Sequence, residues 1–199
     1  MSDPVDPLAV AWTVSTALDA IGAVHTIGGS LAASFAGEPR STIDIDVVAS
    51  LEEFHADQLL AVLGDAFSID EEGLRRAIRE RSCTNLIHHA TQLKVDLFVA
   101  GGTALDTQQL ARRQPVDVGN GRVLYVHPPE DILLQKLRWY AMGGRTSDRQ
   151  WRDVQGIIRV QGRRLDLDYL RRHAPTVGID QLLTDALAEA GSNSTGEDR

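Results

Sequence analysis

The sequence has little cysteine, little lysine and no long apolar run. Its single cysteine, Cys83, excludes an internal disulfide and is typical of a protein that folds under reducing conditions. No stretch approaches the roughly 18 uninterrupted apolar residues that a membrane-spanning helix needs. The acidic N-terminal segment lacks the basic start and apolar core of a signal peptide. We therefore expect a cytoplasmic protein that does not enter a membrane.

The rest of the composition is that of an ordinary globular protein. With 199 residues, 43% of them hydrophobic and 24% charged, the chain can bury a core without disulfides or structural metals. This length allows one large domain, or one domain followed by a small helical appendage.

Charge is unevenly distributed along the chain. The net charge of −8 argues against broad binding to nucleic acids. However, residues 134–173 contain ten basic and four acidic side chains, a net charge of +6, which leaves −14 for the remainder. Such a basic segment suits a phosphate-bearing partner, and it equally suits a solvated helical surface.

The pattern of apolar residues changes near residue 127. Before it, short β-branched runs alternate with helical segments, and Asn120-Gly121 predicts a β-hairpin. After it, only helical periodicity remains. Capping boxes predict helix starts at Ser50 in the first part and at Ser147 in the second. We expect an α/β fold with a mixed, twisted sheet over residues 1–127, a helical domain over 128–190 and a disordered tail over 191–199.

Asp44 and Asp46 form the first candidate site. They alternate with apolar residues in a predicted strand, so their carboxylates share one face about 6.6 Å apart. Such a pair repels itself unless a cation intervenes, and Mg²⁺ prefers carboxylate and phosphate oxygens. Upstream, Gly28-Gly29-Ser30 lies between a strand and a helix, where backbone N–H groups bind phosphate. Arg40 adds positive charge or orients Asp44.

Asp96 supplies a third acid. It alternates with Val95 and Leu97 in a second predicted strand, and shares its face with Lys94. If the two strands lie side by side, three carboxylates can hold two Mg²⁺ ions about 3.5–4 Å apart, as in two-metal phosphoryl transfer.

These motifs resemble the nucleotidyltransferase superfamily. The resemblance lies in the Gly-Gly-Ser turn, in the pattern that contains Arg40, Thr42, Asp44 and Asp46, and in the later apolar-Asp-apolar strand. It implies that Gly28, Gly29 and Ser30, with Arg40 and Thr42, bind a nucleoside triphosphate. It implies further that Asp44, Asp46 and Asp96 hold magnesium, and that Asp96 helps activate an acceptor hydroxyl.

The second half resembles the AbiEii-like nucleotidyltransferases, which include toxins of type IV toxin–antitoxin systems. The matching residues are Pro129-Glu130-Asp131, Lys136-Leu137-Arg138 and Arg149 to Asp153. The resemblance implies that Lys136 contacts the nucleotide phosphates and that Asp153 lies nearby. Lys136 is one of only two lysines in the chain. Asp153 could instead pair with Arg149 or Arg152 on its own helix.

The expected activity is transfer of a nucleoside monophosphate from an NTP to a hydroxyl of tRNA, protein or a small molecule. The resemblance also admits a toxin with an antitoxin partner. A different class of function stays open: a nucleotide-binding or partner-binding protein on the same fold without catalysis.

Overall fold

The computed structural model of the chain describes residues 6–38 and 42–194, with side chains up to Gly191. The described residues form two compact units. The first contains those up to Leu31 and those from 42 to His127, and the second contains 32–38 and 128–194. The β-strands lie in the first unit, and the second is helical.

The first unit is built on a seven-stranded mixed sheet with the order β3-β4-β5-β2-β1-β7-β6. The strands are β1 (His25–Ile27), β2 (Ile45–Ala49), β3 (Phe67–Ile69), β4 (Cys83–His88), β5 (Lys94–Val99), β6 (Gln114–Asp117) and β7 (Val123–Val126). Pairs β2–β5 and β1–β7 are parallel, whereas the other four pairs are antiparallel. The predicted hairpin at Asn120-Gly121 is confirmed, because it joins β6 to β7.

Helices cover the apolar side of this sheet. The helices of this unit are α1 (Pro7–Ala20), α3 (His55–Leu63), α4 (Glu71–Glu80) and α5 (Ala104–Ala111). Helix α1 packs on β1, β2 and β7, and α4 packs on β4 and β5. Val95 and Leu97 of β5 and Ile45 of β2 are completely buried. Since strand side chains alternate, the residues between them point to the opposite face of the sheet.

The second unit consists of helices. They are α6 (Pro129–Met142), α7 (Asp148–Gln161), α8 (Leu167–His173) and α9 (Asp180–Ser194), with short 3₁₀ helices at Gly162–Arg164 and Ala174–Val177. Helix α2 (Gly29–Ala36) divides between the two units after Leu31. Helix α6 packs on α7 and α8, and α7 packs on α9. In the part of the chain that the structure describes, no helix combines the length and apolarity needed to cross a bilayer.

The predicted fold class is confirmed, and one predicted helix start is wrong. The Ser147 hydroxyl accepts a hydrogen bond from the Gln150 N–H and caps α7. The capping box predicted at Ser50 does not form, because α3 begins only at His55. Leu51 is instead fully buried, and its carbonyl accepts a hydrogen bond of 2.7 Å from Arg81. This contact with a residue thirty positions away holds residues 51–54 out of the helix.

The tail differs from expectation as well. Helix α9 continues to Ser194, four residues beyond the predicted end of the helical domain at 190. The remaining positions of the predicted disordered tail, 195–199, lie outside the described residues.

His127 directly follows β7, and its side chain is buried and neutral. Its backbone N–H donates to the Ile27 carbonyl, at 3.0 Å, and only 4% of the residue is exposed. The ring Nδ1 has no hydrogen-bond partner among the described residues. Burial therefore lowers the pKa of His127 to about 4, because water cannot solvate the charged ring.

This pKa makes folding sensitive to acid. In the unfolded chain the imidazole titrates near its ordinary pKa of 6.5, so between pH 6.5 and 4 the unfolded state binds more protons. Stability contributed by the neutral ring is complete above pH 6.5 and falls as the pH drops to 4. The wild type should therefore lose unfolding free energy between pH 7.5 and pH 4.5. We expect His127→Gln to lose about 2–3 kcal/mol less than the wild type over the same range.

Urea unfolding at the two pH values measures this difference. His89→Gln, which replaces an exposed histidine, is the control and should leave the acid sensitivity unchanged. Equal acid sensitivity of the wild type and His127→Gln would contradict the assignment.

Candidate functional site

The sheet register brings two of the predicted acids side by side. Asp46 of β2 and Asp96 of β5 are Cα partners in the parallel pair, and Asn85 of β4 is the partner of Asp96 on its other side. Directly paired residues on neighbouring strands project to the same face of a sheet. The three side chains therefore form a polar row on the face opposite the buried core.

Asp44 joins this row from the segment before β2. It lies one residue ahead of Ile45, where the strand begins, and its N–H donates to the Thr42 hydroxyl at 3.3 Å. Asp44 is half-buried, and Asp46 is 9% exposed. Thr42 thus shapes the backbone beside Asp44. Arg40, the other residue predicted here, lies outside the described residues.

The Gly-Gly-Ser turn is built against the Asp46 side chain. The Gly28 N–H donates to the Asp46 carbonyl at 2.9 Å, and Gly29 opens α2 with a φ of +58°. A Cβ on residue 29 would overlap the Asp46 carboxylate, so only glycine fits there. Ser30, 5% exposed, follows in the first turn of α2. The start of this helix and the carboxylate of Asp46 are therefore in direct contact.

Lys94 lies next to Asp96 and was not among the predicted site residues. Its Nζ is 2.8 Å from Oδ2 of Asp96. The hydrogen bond to Asp96 raises the pKa of Lys94, and the negative charges of Asp96, Asp44 and Asp46 add to the effect. The sequence indicates that Lys94 is close to Asp96, since it stands two residues before Asp96 on the same strand face.

The carboxylates suit a hard divalent cation in their chemistry but not yet in their arrangement. Carboxylate oxygens are the ligands that Mg²⁺ prefers, and they stand beside a helix start that favours phosphate. Within residues 6–38 and 42–194, however, no three acidic, histidine or cysteine side chains already converge as a metal-binding group. Asp96 instead pairs with Lys94. One of the two Asp96 carboxylate oxygens, Oδ2, is therefore already in contact with an ammonium group.

Cys83 lies next to the same row without a nucleophile's properties. Although the residue is exposed as a whole, partial burial raises the pKa of its thiol to about 11, and the charges of Asp96 and Asp46 act in the same direction. The thiol is therefore protonated at neutral pH, which argues against a catalytic role for it.

Lys136 and Asp153 meet in the second unit. Lys136 of α6 is completely buried, and its Nζ lies 2.8 Å from Oδ2 of Asp153 on α7. The side chain of Asp153 is 7% exposed. The alternative partners on α7, Arg149 and Arg152, are both solvent-exposed. A buried ion pair thus links the two helices, and contact between Lys136 and nucleotide phosphates stays a prediction.

Comparisons with known proteins bear on the fold. No family model and no curated protein sequence matches the chain. Among solved structures, the antibiotic-resistance factor ANT(2'')-Ia gives a TM-score of 0.57 at 13% identity, over 86% of this chain and 94% of its own. A nucleotidyltransferase-like protein of Paracoccidioides brasiliensis gives 0.54 at 19% identity, over 92% of each chain.

The lincosamide adenylyltransferase LnuA, solved with lincomycin, gives a TM-score of 0.50 at 11% identity, over 76% of this chain and 94% of its own. The chain therefore has a nucleotidyltransferase-like fold.

The contact between Gly29 and Asp46 yields a stability prediction. Alanine at Gly22, where φ is +74° and no atom lies within 4 Å of the added Cβ, should cost about 1 kcal/mol through the left-handed backbone alone. Alanine at Gly29 adds a clash with Asp46, so we expect a loss of about 3 kcal/mol. Urea unfolding of the two variants compares them, and equal losses would contradict the tight contact.

The Lys136–Asp153 pair yields a double-mutant cycle. Lys136→Met leaves a buried carboxylate without its cation, and we expect it to cost about 3–5 kcal/mol of unfolding free energy. Adding Asp153→Leu removes the stranded charge, so the double variant should regain most of that loss. Chemical denaturation of the wild type, the two single variants and the double variant measures the coupling. Additive losses would show that the pair contributes nothing.

Proposed function

We propose that the chain is a magnesium-dependent nucleotidyltransferase that moves a nucleoside monophosphate from an NTP to an acceptor hydroxyl. The observation that carries the proposal is the register of β2 and β5, which sets Asp46 beside Asp96 on one sheet face. The Gly28-Gly29-Ser30 turn abuts the same carboxylate. Likeness to nucleotidyltransferase-like folds supports it.

Each residue has a distinct role in this proposal. Asp44, Asp46 and Asp96 would hold the metal, which supplies charge neutralisation at the α-phosphate when bound. The backbone N–H groups at the start of α2 and the Ser30 hydroxyl bind the triphosphate. Asp96 orients the acceptor hydroxyl and takes up its proton as the new phosphate ester forms and pyrophosphate leaves.

The acceptor class follows from two observations that point in different directions. ANT(2'')-Ia has been solved with adenylyl-2''-tobramycin and LnuA with lincomycin, so related folds handle small molecules. In this chain, arginines on the second unit are exposed, among them Arg138, Arg145, Arg163 and Arg172. Together with the net charge of +6 over residues 134–173, they favour a polyanionic acceptor such as tRNA.

A toxin role is the finer form of this proposal, and it rests on the resemblance to AbiEii-like proteins. In that role an antitoxin protein is the partner. A gene for a small DNA-binding protein beside this one would support the pairing. A catalytically silent nucleotide-binding protein is the second candidate, favoured by the Lys94–Asp96 ion pair, which occupies one of the acids needed for metal.

A labelling assay tests the proposal. Purified protein is incubated with magnesium and each NTP labelled at the α-phosphate, with total tRNA, cell-extract protein or small metabolites as acceptors. We expect label transfer by the wild type and a loss of about 10³-fold or more in Asp46→Asn, because a metal contributes several kcal/mol to such steps.

Asp65→Asn removes an exposed carboxylate elsewhere in the first unit and serves as the control. It should transfer label like the wild type. Full transfer by Asp46→Asn would refute the metal-dependent mechanism. Magnesium-dependent NTP binding without transfer to any acceptor would favour the silent protein.

A further inference from the structure

The ion pair between Lys94 and Asp96 joins a cation directly to the candidate metal site. Lys94 Nζ lies 2.8 Å from Oδ2 of Asp96, and the charges of Asp44 and Asp46 also act on it. The lysine side chain is 49% exposed, whereas that of Asp96 is 19% exposed. The ammonium group thus contacts Asp96 from a side chain that is half exposed to solvent.

Removal of this cation would take away the positive charge that lies against Asp96. Asp46 and Asp96 are fixed as neighbours by the backbone of two paired strands, so they cannot separate to relieve repulsion. A positive charge among them is therefore favourable. A divalent metal and the ammonium group both meet that need, and Asp96 would be a partner of each.

A lysine suits the role of a cation that a metal must displace from Asp96. The chain has 20 basic residues, of which only Lys94 and Lys136 are lysines. An arginine fork binds a carboxylate through two parallel hydrogen bonds, whereas lysine offers a flexible, strongly hydrated point charge. A lysine therefore neutralises Asp96 while holding it less rigidly than arginine would.

We propose that Lys94 is the resident counter-ion of the Asp44–Asp46–Asp96 face and competes with the divalent metal for Asp96. This inference rests on the proposed function and adds a condition to it. The free protein binds metal weakly. NTP binding shifts the equilibrium toward the metal, because the triphosphate brings oxygen ligands for the metal and an alternative partner for the ammonium group. Lys94 is thus a positioning residue that couples metal uptake to nucleotide binding.

Binding of Mn²⁺ to the nucleotide-free protein tests this proposal without any need for activity. The signal of free Mn²⁺ in electron paramagnetic resonance gives the dissociation constant. We expect Lys94→Met to bind Mn²⁺ about ten-fold more tightly than the wild type, because a unit positive charge has been removed beside the metal. Lys94→Arg should bind more weakly than the wild type, since the fork holds Asp96 more firmly.

Two controls separate this effect from a general change in charge. Arg79→Met removes one positive charge from an exposed ion pair with Glu53, 3.6 Å away, in the same unit. It should leave Mn²⁺ affinity unchanged. Lys94→Met combined with Asp46→Asn should lose the gain, which locates the metal at the aspartate face. An equal gain in Arg79→Met would overturn the inference.

The outcomes also distinguish this inference from the proposed function. If Lys94→Met binds Mn²⁺ no more tightly than the wild type while NTP-dependent transfer is observed, the counter-ion role is wrong and the enzyme stands. If none of the variants binds Mn²⁺ with or without NTP, the metal-dependent function fails and the competition fails with it. Raising ionic strength should shrink the difference between wild type and Lys94→Met, because salt screens exposed charges.

Discussion

The register of β2 against β5 is the constraint on which the candidate site in the first unit depends. The pairing of β2 with β5 places Asp46 beside Asp96, and backbone hydrogen bonds keep them there. A shift of one residue in either strand would turn its acids into the core and its apolar residues into solvent. Complete burial of Ile45, Val47 and Val95 on the opposite face therefore enforces the register. The hydrophobic core thus fixes the position of the carboxylates.

The two lysines of the chain show how burial decides what an ion pair can do. Each lies 2.8 Å from an aspartate oxygen, but the Lys94 side chain is 49% exposed and that of Lys136 only 1%. An exposed pair contributes little to stability and can exchange partners with solvent or ligand. A buried pair is costly to break, because either partner alone would be left as an uncompensated charge. Lys136 and Asp153 are therefore suited to fix two helices, whereas Lys94 is suited to release its partner.

The sequence predicted what depends on local alternation and missed what depends on distant contacts. Asp96 could be placed on the face opposite Val95 because strand periodicity alone decides it. The start of α3 could not be placed, since Arg81 binds the Leu51 carbonyl from the far end of α4. The partner of Asp153 was also unpredictable, because Lys136 lies on another helix and no spacing rule links them. Lys94 was visible on the correct face, but its pairing with Asp96 emerged only from the structure.

Fold likeness at 11–19% identity does not carry function, since one fold hosts many chemistries. The residues at the candidate site bear on chemistry more directly. Asp46 is 9% exposed and next to Asp96, so two carboxylates stand close together on one sheet face. At residue 29 the Asp46 carboxylate leaves no room for a Cβ, so only glycine fits there. Local features that oppose stability mark functional sites more often than structural ones. The arrangement at Gly29, Asp46 and Asp96 is therefore the part of the first unit on which the proposed metal and nucleotide site rests.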